Sequence, residues 1–540
     1  MTTLYGLVLV AWAIAFLIVI GEHILWKRRE KRRNPEGLPY PPGPRQLPLI
    51  GNAFDMPLRK APLTYGKWAE QYGSLIWLVA SGKQYLIVND YEAMKELLEK
   101  RGNIYIDRDN TVLLGEMIGQ NRVTPRTPYG PTWRQHRRFL NRALMGPIVK
   151  RDYGAPMMRK ILSFLTVLLD RPQDFLLENK KMTAELITEI GYGMIRDDED
   201  GGHDFVQMHL NVGKITLTTA EGYWVDHLPW MRHIPSWVPF AQWKRDAIKW
   251  RKEYNFARDY MFEAVKMQLL NTRGDGMPTS FVRTLLQEEY SQQGSKSEEE
   301  LQYSERIIKD TSFSFFRAGA ETTESVIRSF LLAMTLHPQI QARVRSEIDA
   351  VIGHNRFPSL EDRGVEKMPY LESTLLESMR WHPPVSSIIP HLPIRDDTFR
   401  GYFIPKGTTI IANAWHVGRD PQLYHEPNVF KPERFLKRNE NDGPLTLDTS
   451  TLNPLEYVFG FGRRICPGRE LALQNIWIIA VFVLWAFEIR AKEGMSMEDG
   501  YKAADEERFN FAIVSQTLPF ECDFVPRSQK ALQMIRKAAI

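Results

Sequence analysis

Cysteine is nearly absent from this 540-residue chain, which carries only Cys466 and Cys522. A secreted protein of this length would usually carry more, paired as disulfides. No Asn-x-Ser/Thr sequon occurs either, which fits a chain body that never meets the glycosylation machinery. Both absences point to the cytosol. Excess charge is also scarce, at +5 net, and much of it sits in one run: Lys27, Arg28, Arg29, Lys31, Arg32 and Arg33. A nucleic-acid-binding body spreads its basic residues more widely, so no nucleic-acid role is expected. Beyond about residue 50 there is no internal repeat and no clear second linker.

The longest uncharged apolar run is Leu4–Ile20, LYGLVLVAWAIAFLIVI, extending imperfectly to Trp26. A spanning helix needs about 20 apolar residues, so residues 1–26 are expected to form a single N-terminal transmembrane helix. The basic cluster follows the run instead of preceding it. That order argues against a cleaved signal peptide and predicts a cytosolic body. Residues 27–50, with Pro39, Pro41, Pro42, Pro44 and Pro48, read as a basic, stiff, non-helical linker. Residues 51–540 then form one large domain, mainly α with small β-sheets.

Within that domain, Leu75–Asn89 reads as two strands about a Ser81–Gly82 turn. Helical patterns run around Thr132–Leu144, Met157–Leu169, Phe240–Leu270 and Tyr303–His337. Asn271–Glu300 reads as a surface loop around at most a short helix. Phe399–Ala414 is β-like about Pro405–Lys406–Gly407, Leu436–Leu452 is loop-like, and Phe511–Phe524 suggests a terminal hairpin.

The chemistry concentrates in Phe459–Gly460–Phe461–Gly462–Arg463–Arg464–Ile465–Cys466–Pro467–Gly468, followed by a helical run. As a nucleotide loop it fails, because Ile465 stands where a third glycine belongs. Glycines on both sides of Cys466 let backbone approach a flat ring, and Arg464 can meet acidic groups on that ring. A helix starting after Cys466 offers free N–H groups and a positive dipole end, both favouring a thiolate.

The spacing Phe-x-x-Gly-x-Arg-x-Cys-x-Gly resembles the haem loop of the cytochrome P450 family, complete at Phe459, Gly462, Arg464, Cys466 and Gly468. Three further segments follow the same family's pattern. Glu377 and Arg380, one helical turn apart, with Arg434 of Pro432–Phe435, correspond to its buried structural triad. Ala318–Thr323 corresponds to its oxygen-binding helix, where Gly319 should open a groove and Glu321 and Thr322 deliver protons. Trp133 and Arg137, at i and i+4, correspond to haem-propionate donors, with His391 a further basic contact. The Ala-Gly-Ala-Glu-Thr-Thr segment and the Pro519–Arg527 ending are similar to fungal microsomal members of the O-methylsterigmatocystin oxidoreductase type.

The resemblance implies haem b (iron protoporphyrin IX) with Cys466 as axial thiolate and sole protein metal ligand. It also implies insertion of one oxygen atom from dioxygen into a lipophilic substrate, a terpenoid or other secondary metabolite, with an aromatic or indolic amine as the other class. The pocket should be lined from Arg108–Pro125, Val206–Val238, Phe313–Ala318, Val385–Ile389 and Ser515–Thr517, with Phe313, Phe316, Ile388 and Ile389 making it apolar. No flavin or nicotinamide domain is present, so electrons should come from a separate NADPH–haemoprotein reductase in the endoplasmic reticulum membrane, with cytochrome b5 as an accessory donor. Two other readings stay open at this point. One is a haem-thiolate isomerase, dehydratase or peroxygenase; the other is a non-catalytic haem-binding membrane protein.

Overall fold

The computed structural model describes residues 31–538, apart from 49, 58, 81, 194–204, 220–222, 273–277, 292–295, 439–443 and 493–508. The expected membrane span at 1–26 and most of the basic cluster lie outside these residues, as does Ser81 of the expected turn. The architecture is mainly helical, with small sheets at the margins. The long helices are α1 (Ala61–Tyr72), α2 (Pro131–Ala143), α3 (Gly146–Asp170), α4 (Phe175–Tyr192), α5 (Phe205–Thr219), α6 (Gln242–Thr272), α7 (Phe281–Ser291), α8 (Glu298–Leu336), α9 (Pro338–Val351), α10 (Pro369–Trp381), α11 (Arg469–Ala486) and α12 (Gln529–Ala538).

Helix α8 is the axis of the fold. It starts at a capping box, in which the Ser297 hydroxyl accepts from the Glu300 N–H and the Glu300 carboxylate accepts from the Ser297 N–H. It packs on α2, α4, α6, α7, α10 and α11. Helix α11 is apolar on every face from Ile476 to Ala486. Among the described residues it alone is long and apolar enough to cross a membrane, and it is buried inside the domain. A helix apolar all round is a core helix when its neighbours cover it.

One five-stranded sheet, in the order β1 (Leu75–Ala80), β2 (Lys83–Val88), β7 (Thr409–Ala412), β4 (His391–Leu392) and β3 (Asp107–Arg108), flanks the helices. Strands β2 and β7 are parallel, while the other pairs are antiparallel. The register of β3 on β4 sets Arg108 opposite His391. Within the proline-rich stretch, Tyr40 stacks on Trp77 at 4.6 Å, and the Pro42 carbonyl accepts from the Trp77 N–H at 2.9 Å. The second half of the expected linker is therefore docked on the sheet.

Two expectations are corrected. The loop-like Leu436–Leu452 contains an antiparallel pair, β8 (Leu436–Arg438) with β9 (Leu445–Leu447). The expected hairpin at Phe511–Phe524 does not pair with itself. Strand β11 (Phe509–Asn510) pairs with β12 (Gln516–Thr517), while β13 (Cys522–Pro526) pairs with β10 (Phe487–Ala491). Alternation along a strand fixes which face is buried and leaves the partner open. The polar segment 271–300 does carry one short helix, α7, within it.

Candidate functional site

The Cys466 loop is a tight turn closed by two backbone hydrogen bonds: Gly460 N–H to the Tyr457 carbonyl at 3.0 Å, and Cys466 N–H to the Phe459 carbonyl at 2.8 Å. Gly462 has φ +52°, and a Cβ there would sit 2.7 Å from the Leu98 carbonyl oxygen, so only glycine fits. Cys466 is open to a small probe, yet protein walls it in closely enough for burial to govern its acidity. Burial pushes the thiol up, while the Gly468 N–H, Arg137 and Arg469 pull it down. The helix-end effect expected from the sequence is present but loses to desolvation. A bound metal ion would deprotonate the thiol outright.

The Ala318–Thr323 segment expected from the sequence lies in the middle of α8. Its Ala318 is exposed and its Thr322 half-buried, in a helix whose neighbouring turns are largely covered. These two residues, one turn apart, mark the open face, and the Thr322 hydroxyl donates to the Ala318 carbonyl at 2.8 Å. Gly319 does not open that face. A Cβ on it would meet the Ile187 side chain of α4 at 2.8 Å, so this glycine is a helix-packing notch. Glu321 also points elsewhere, because adjacent helical residues do not share a face. Its carboxylate accepts from Arg317 at 3.2 Å and fills the notch left by Gly213 of α5, where a Cβ would lie 2.4 Å from it. Phe313 and Phe316, expected to line a pocket, are fully buried against Tyr254 (5.1 Å) and His209 (4.9 Å), and belong to the core.

A second cluster gathers beside the loop. Trp133 of α2 is buried, with the Arg464 guanidinium 4.3 Å over its ring and that of Arg137 at 5.9 Å. Arg137 donates to the Ile465 carbonyl at 2.6 Å, bracing the residue before Cys466. Arg464 donates to the carbonyls of Ile106 (2.8 Å) and Thr127 (3.0 Å). One of its terminal nitrogens, NH2, is buried with no partner. His391 shares a 2.7 Å hydrogen bond through Nδ1 with the Tyr105 carbonyl, which fixes Nδ1 as the donor, and its Nε2 is buried and unpartnered.

Arg108, opposite His391 and expected from the sequence only as the start of a pocket-lining stretch, donates to the carbonyls of Ile389 and Pro390, and its Nε is also buried without a partner. Burial first, and then Arg464 and Arg126, press its pKa well down; burial, Arg108 and Arg464 do the same to His391. Buried cationic groups without counter-charge are costly. The unpartnered nitrogens of Arg108 and Arg464 thus present donors to an anion, and the carboxylates of a porphyrin fit that demand in charge and hydrogen-bonding type, whereas neutral His391, with its proton on Nδ1, offers only a lone pair at Nε2.

Replacing Arg464 by methionine removes one charge-assisted hydrogen bond of roughly 1.5–3 kcal/mol. Haem transfer from the variant holoprotein to apomyoglobin should accelerate by about tenfold or more. A transfer rate equal to that of the parent protein would refute the anion clamp.

Three further residues, Glu377, Arg380 and Arg434, come together as the family resemblance implied. Glu377 and Arg380 are fully buried, with Arg380 donating to both carboxylate oxygens at 2.7 Å and Arg434 Nε at 3.1 Å.

The comparisons with known proteins agree with this arrangement. The family model described as Cytochrome P450 matches residues 41–517. The chain is 35% identical to Cytochrome P450 monooxygenase 98 of Postia placenta over 526 residues, covering 96% of each. It is 32% identical to Cytochrome P450 monooxygenase COX1 of Coprinopsis cinerea over 527 residues, covering 96% of this chain and 98% of that one. With a cysteine loop, a bared face on the long central helix and buried donors waiting for an anion, the chain belongs to the cytochrome P450 family of monooxygenases, enzymes that carry haem on an axial cysteine thiolate, draw electrons from a redox partner and act on small molecules.

Proposed function

We propose that this chain hydroxylates a lipophilic small molecule, of terpenoid or related secondary-metabolite type, with haem held by Cys466 and electrons supplied by an NADPH–haemoprotein reductase, with cytochrome b5 as an accessory donor. The observation that carries the reading is the Cys466 turn together with the bared Ala318–Thr322 face of α8 and the unpartnered donors of Arg108 and Arg464. Haem ligated by a thiolate activates dioxygen for insertion of one oxygen atom into a C–H bond. The protein's own part would be to hold the propionates through Arg108, Arg464 and the Trp133–Arg137 face, with His391 joining them when protonated at Nε2, to keep Ala318 small beside the reacting centre, and to move protons. Thr322 holds a hydroxyl at the open face. Glu321, held by Arg317 on the α5 side, is the acid next to it in the chain.

We place the enzyme at the endoplasmic reticulum membrane through a single span at 1–26, with the body in the cytosol. Support comes from the segment joining α5 to α6. There Trp224, Trp230, Trp237 and Phe240 are 62–96% exposed, with Arg232, Lys244 and Arg245 beside them. Exposed aromatics among basic residues suit the headgroup level of a bilayer.

Thr322→Ala tests the assignment of the proton route. General acid–base groups contribute about 10²–10⁴-fold, so product formation per electron consumed should fall by at least tenfold. The missing reducing equivalents should appear as peroxide, with haem content unchanged. Unchanged coupling would remove Thr322 from the mechanism.

A further inference from the structure

Behind the bared face of α8, three side chains of that helix, with His382 at the end of α10, grip three consecutive residues of the β11–β12 hairpin. Glu324 accepts from the Gln516 side-chain amide at 2.5 Å. Arg328 donates through Nε to the Thr517 hydroxyl at 2.8 Å, and Ser325 donates to the Ser515 carbonyl. His382, fully buried, bridges Ser329 Oγ (2.6 Å) to Ser515 Oγ (2.9 Å) and stacks on Phe509 at 4.1 Å. The Ser515 N–H donates to the Pro384 carbonyl at 2.8 Å.

The hairpin therefore bridges two walls of the site. One is α8, one turn beyond Thr322; the other is the extended stretch that leads from Pro384 to His391. A two-stranded ribbon this short has no stability of its own, so its position is whatever the latch imposes. Glu324 is an expensive way to hold it. Burial lifts the carboxyl to about 7, with Arg328 and Lys180 opposing and Glu321 reinforcing the rise. An apolar contact would cost less, whereas a carboxylate with two defined partners fixes geometry.

We propose that Glu324 and Arg328, through Gln516 and Thr517, are positioning residues that set where the hairpin stands against α8 beyond Thr322, and so fix the size and shape of ligand the pocket accepts. Neither touches the substrate. The proposal rests on the monooxygenase reading.

The experiment uses the full-length haem-loaded protein and two azoles that ligate ferric iron, imidazole and the bulkier 4-phenylimidazole, with affinities read from the Soret shift. In Glu324→Ala the Gln516 amide and Arg328 lose their partner. The 4-phenylimidazole affinity should then change by about tenfold, while imidazole stays within about twofold. Glu324→Gln, which keeps an acceptor for Gln516, should restore 4-phenylimidazole binding to within about threefold of the parent. Should Glu324→Ala fail to fold, Thr517→Val removes only Arg328's hydroxyl partner and is read in the same way. A 4-phenylimidazole affinity unmoved by these substitutions, or both azoles shifting together, would overturn the latch. Absence of any azole-responsive haem band in the parent protein would instead overturn the haem reading itself.

Discussion

Cys466→Ala should abolish the strongly red-shifted Soret band expected of the dithionite-reduced, carbon monoxide-treated parent protein, and all monooxygenation with it. The sulfur sits at the mouth of a turn whose backbone is closed by other residues, notably Cys466 N–H to the Phe459 carbonyl and Gly460 N–H to the Tyr457 carbonyl. Removing the side chain leaves those bonds intact. Its only hydrogen-bond donor is the Gly468 N–H, and the thiol fills no packed core, so the stability cost should stay within about 1 kcal/mol. Loss of the band in a variant that unfolds at the parent's temperature therefore reports ligation and not folding. The control is Cys522→Ala. That thiol lies buried in β13, where burial pushes its pKa up to about 12, and its replacement should leave the band in place. A Cys466→Ala protein that keeps the red-shifted band would refute the ligand assignment, and a parent protein with a band at the histidine-ligated position would refute it equally.

What the sequence made legible, and what it did not, divides along a physical line. The Cys466 loop, the Glu377–Arg380 pair and the α8 segment are local patterns whose chemistry depends on neighbours within one or two turns, and they appear where their spacing put them. Partners distant in the chain were hidden. The role of Gly319 depends on Ile187, more than a hundred positions earlier, and a single glycine cannot say whether a ligand or a helix fills its notch. Arg108 matters because β3 lies on β4 opposite His391, a pairing of two residues on each side that no periodicity announces. The orientation of Glu321 away from Thr322 follows from helix geometry and was available from the sequence. The carboxylate's home against Gly213 and Arg317 was not. Phe313 and Phe316 were taken for pocket residues because aromatic rings suit both a pocket and a core, and composition cannot separate the two.

Glu377→Ala should prevent the holoprotein from accumulating in soluble form, an effect reaching far beyond one ion pair. Glu377, Arg380 and Arg434 bury two positive charges against one negative, an arrangement that burial alone would forbid. Backbone carbonyls make up the difference. Arg380 donates to the carbonyls of Gly418, Pro427 (2.7 Å) and Val429 (3.3 Å), and Arg434 to those of His425, Glu426 (3.1 Å) and Val429 (2.9 Å). The Glu377 carboxylate also accepts from the Lys431 N–H at 2.7 Å, tying α10 to the Pro432–Phe435 turn. From there the load passes towards the haem loop. The Arg380 guanidinium lies 5.3 Å over the Tyr424 ring, and the Tyr424 hydroxyl donates to the Leu452 carbonyl at 2.9 Å. It also lies 3.3 Å from the hydroxyl of Tyr457, two residues before Phe459. Deleting the carboxylate leaves two arginines buried without counter-charge, a penalty of about 3–5 kcal/mol. Total stability is about 5–15 kcal/mol, so the variant falls near or below the threshold for folding. Glu377→Gln keeps acceptor geometry on one oxygen and loses the charge, and should lie between the two. Urea unfolding followed by tryptophan fluorescence, alongside the soluble fraction on expression, measures the series. If Glu377→Ala unfolded within 1 kcal/mol of the parent, the triad would be an ornament of the fold and the bracing of the Cys466 loop would have to come from elsewhere.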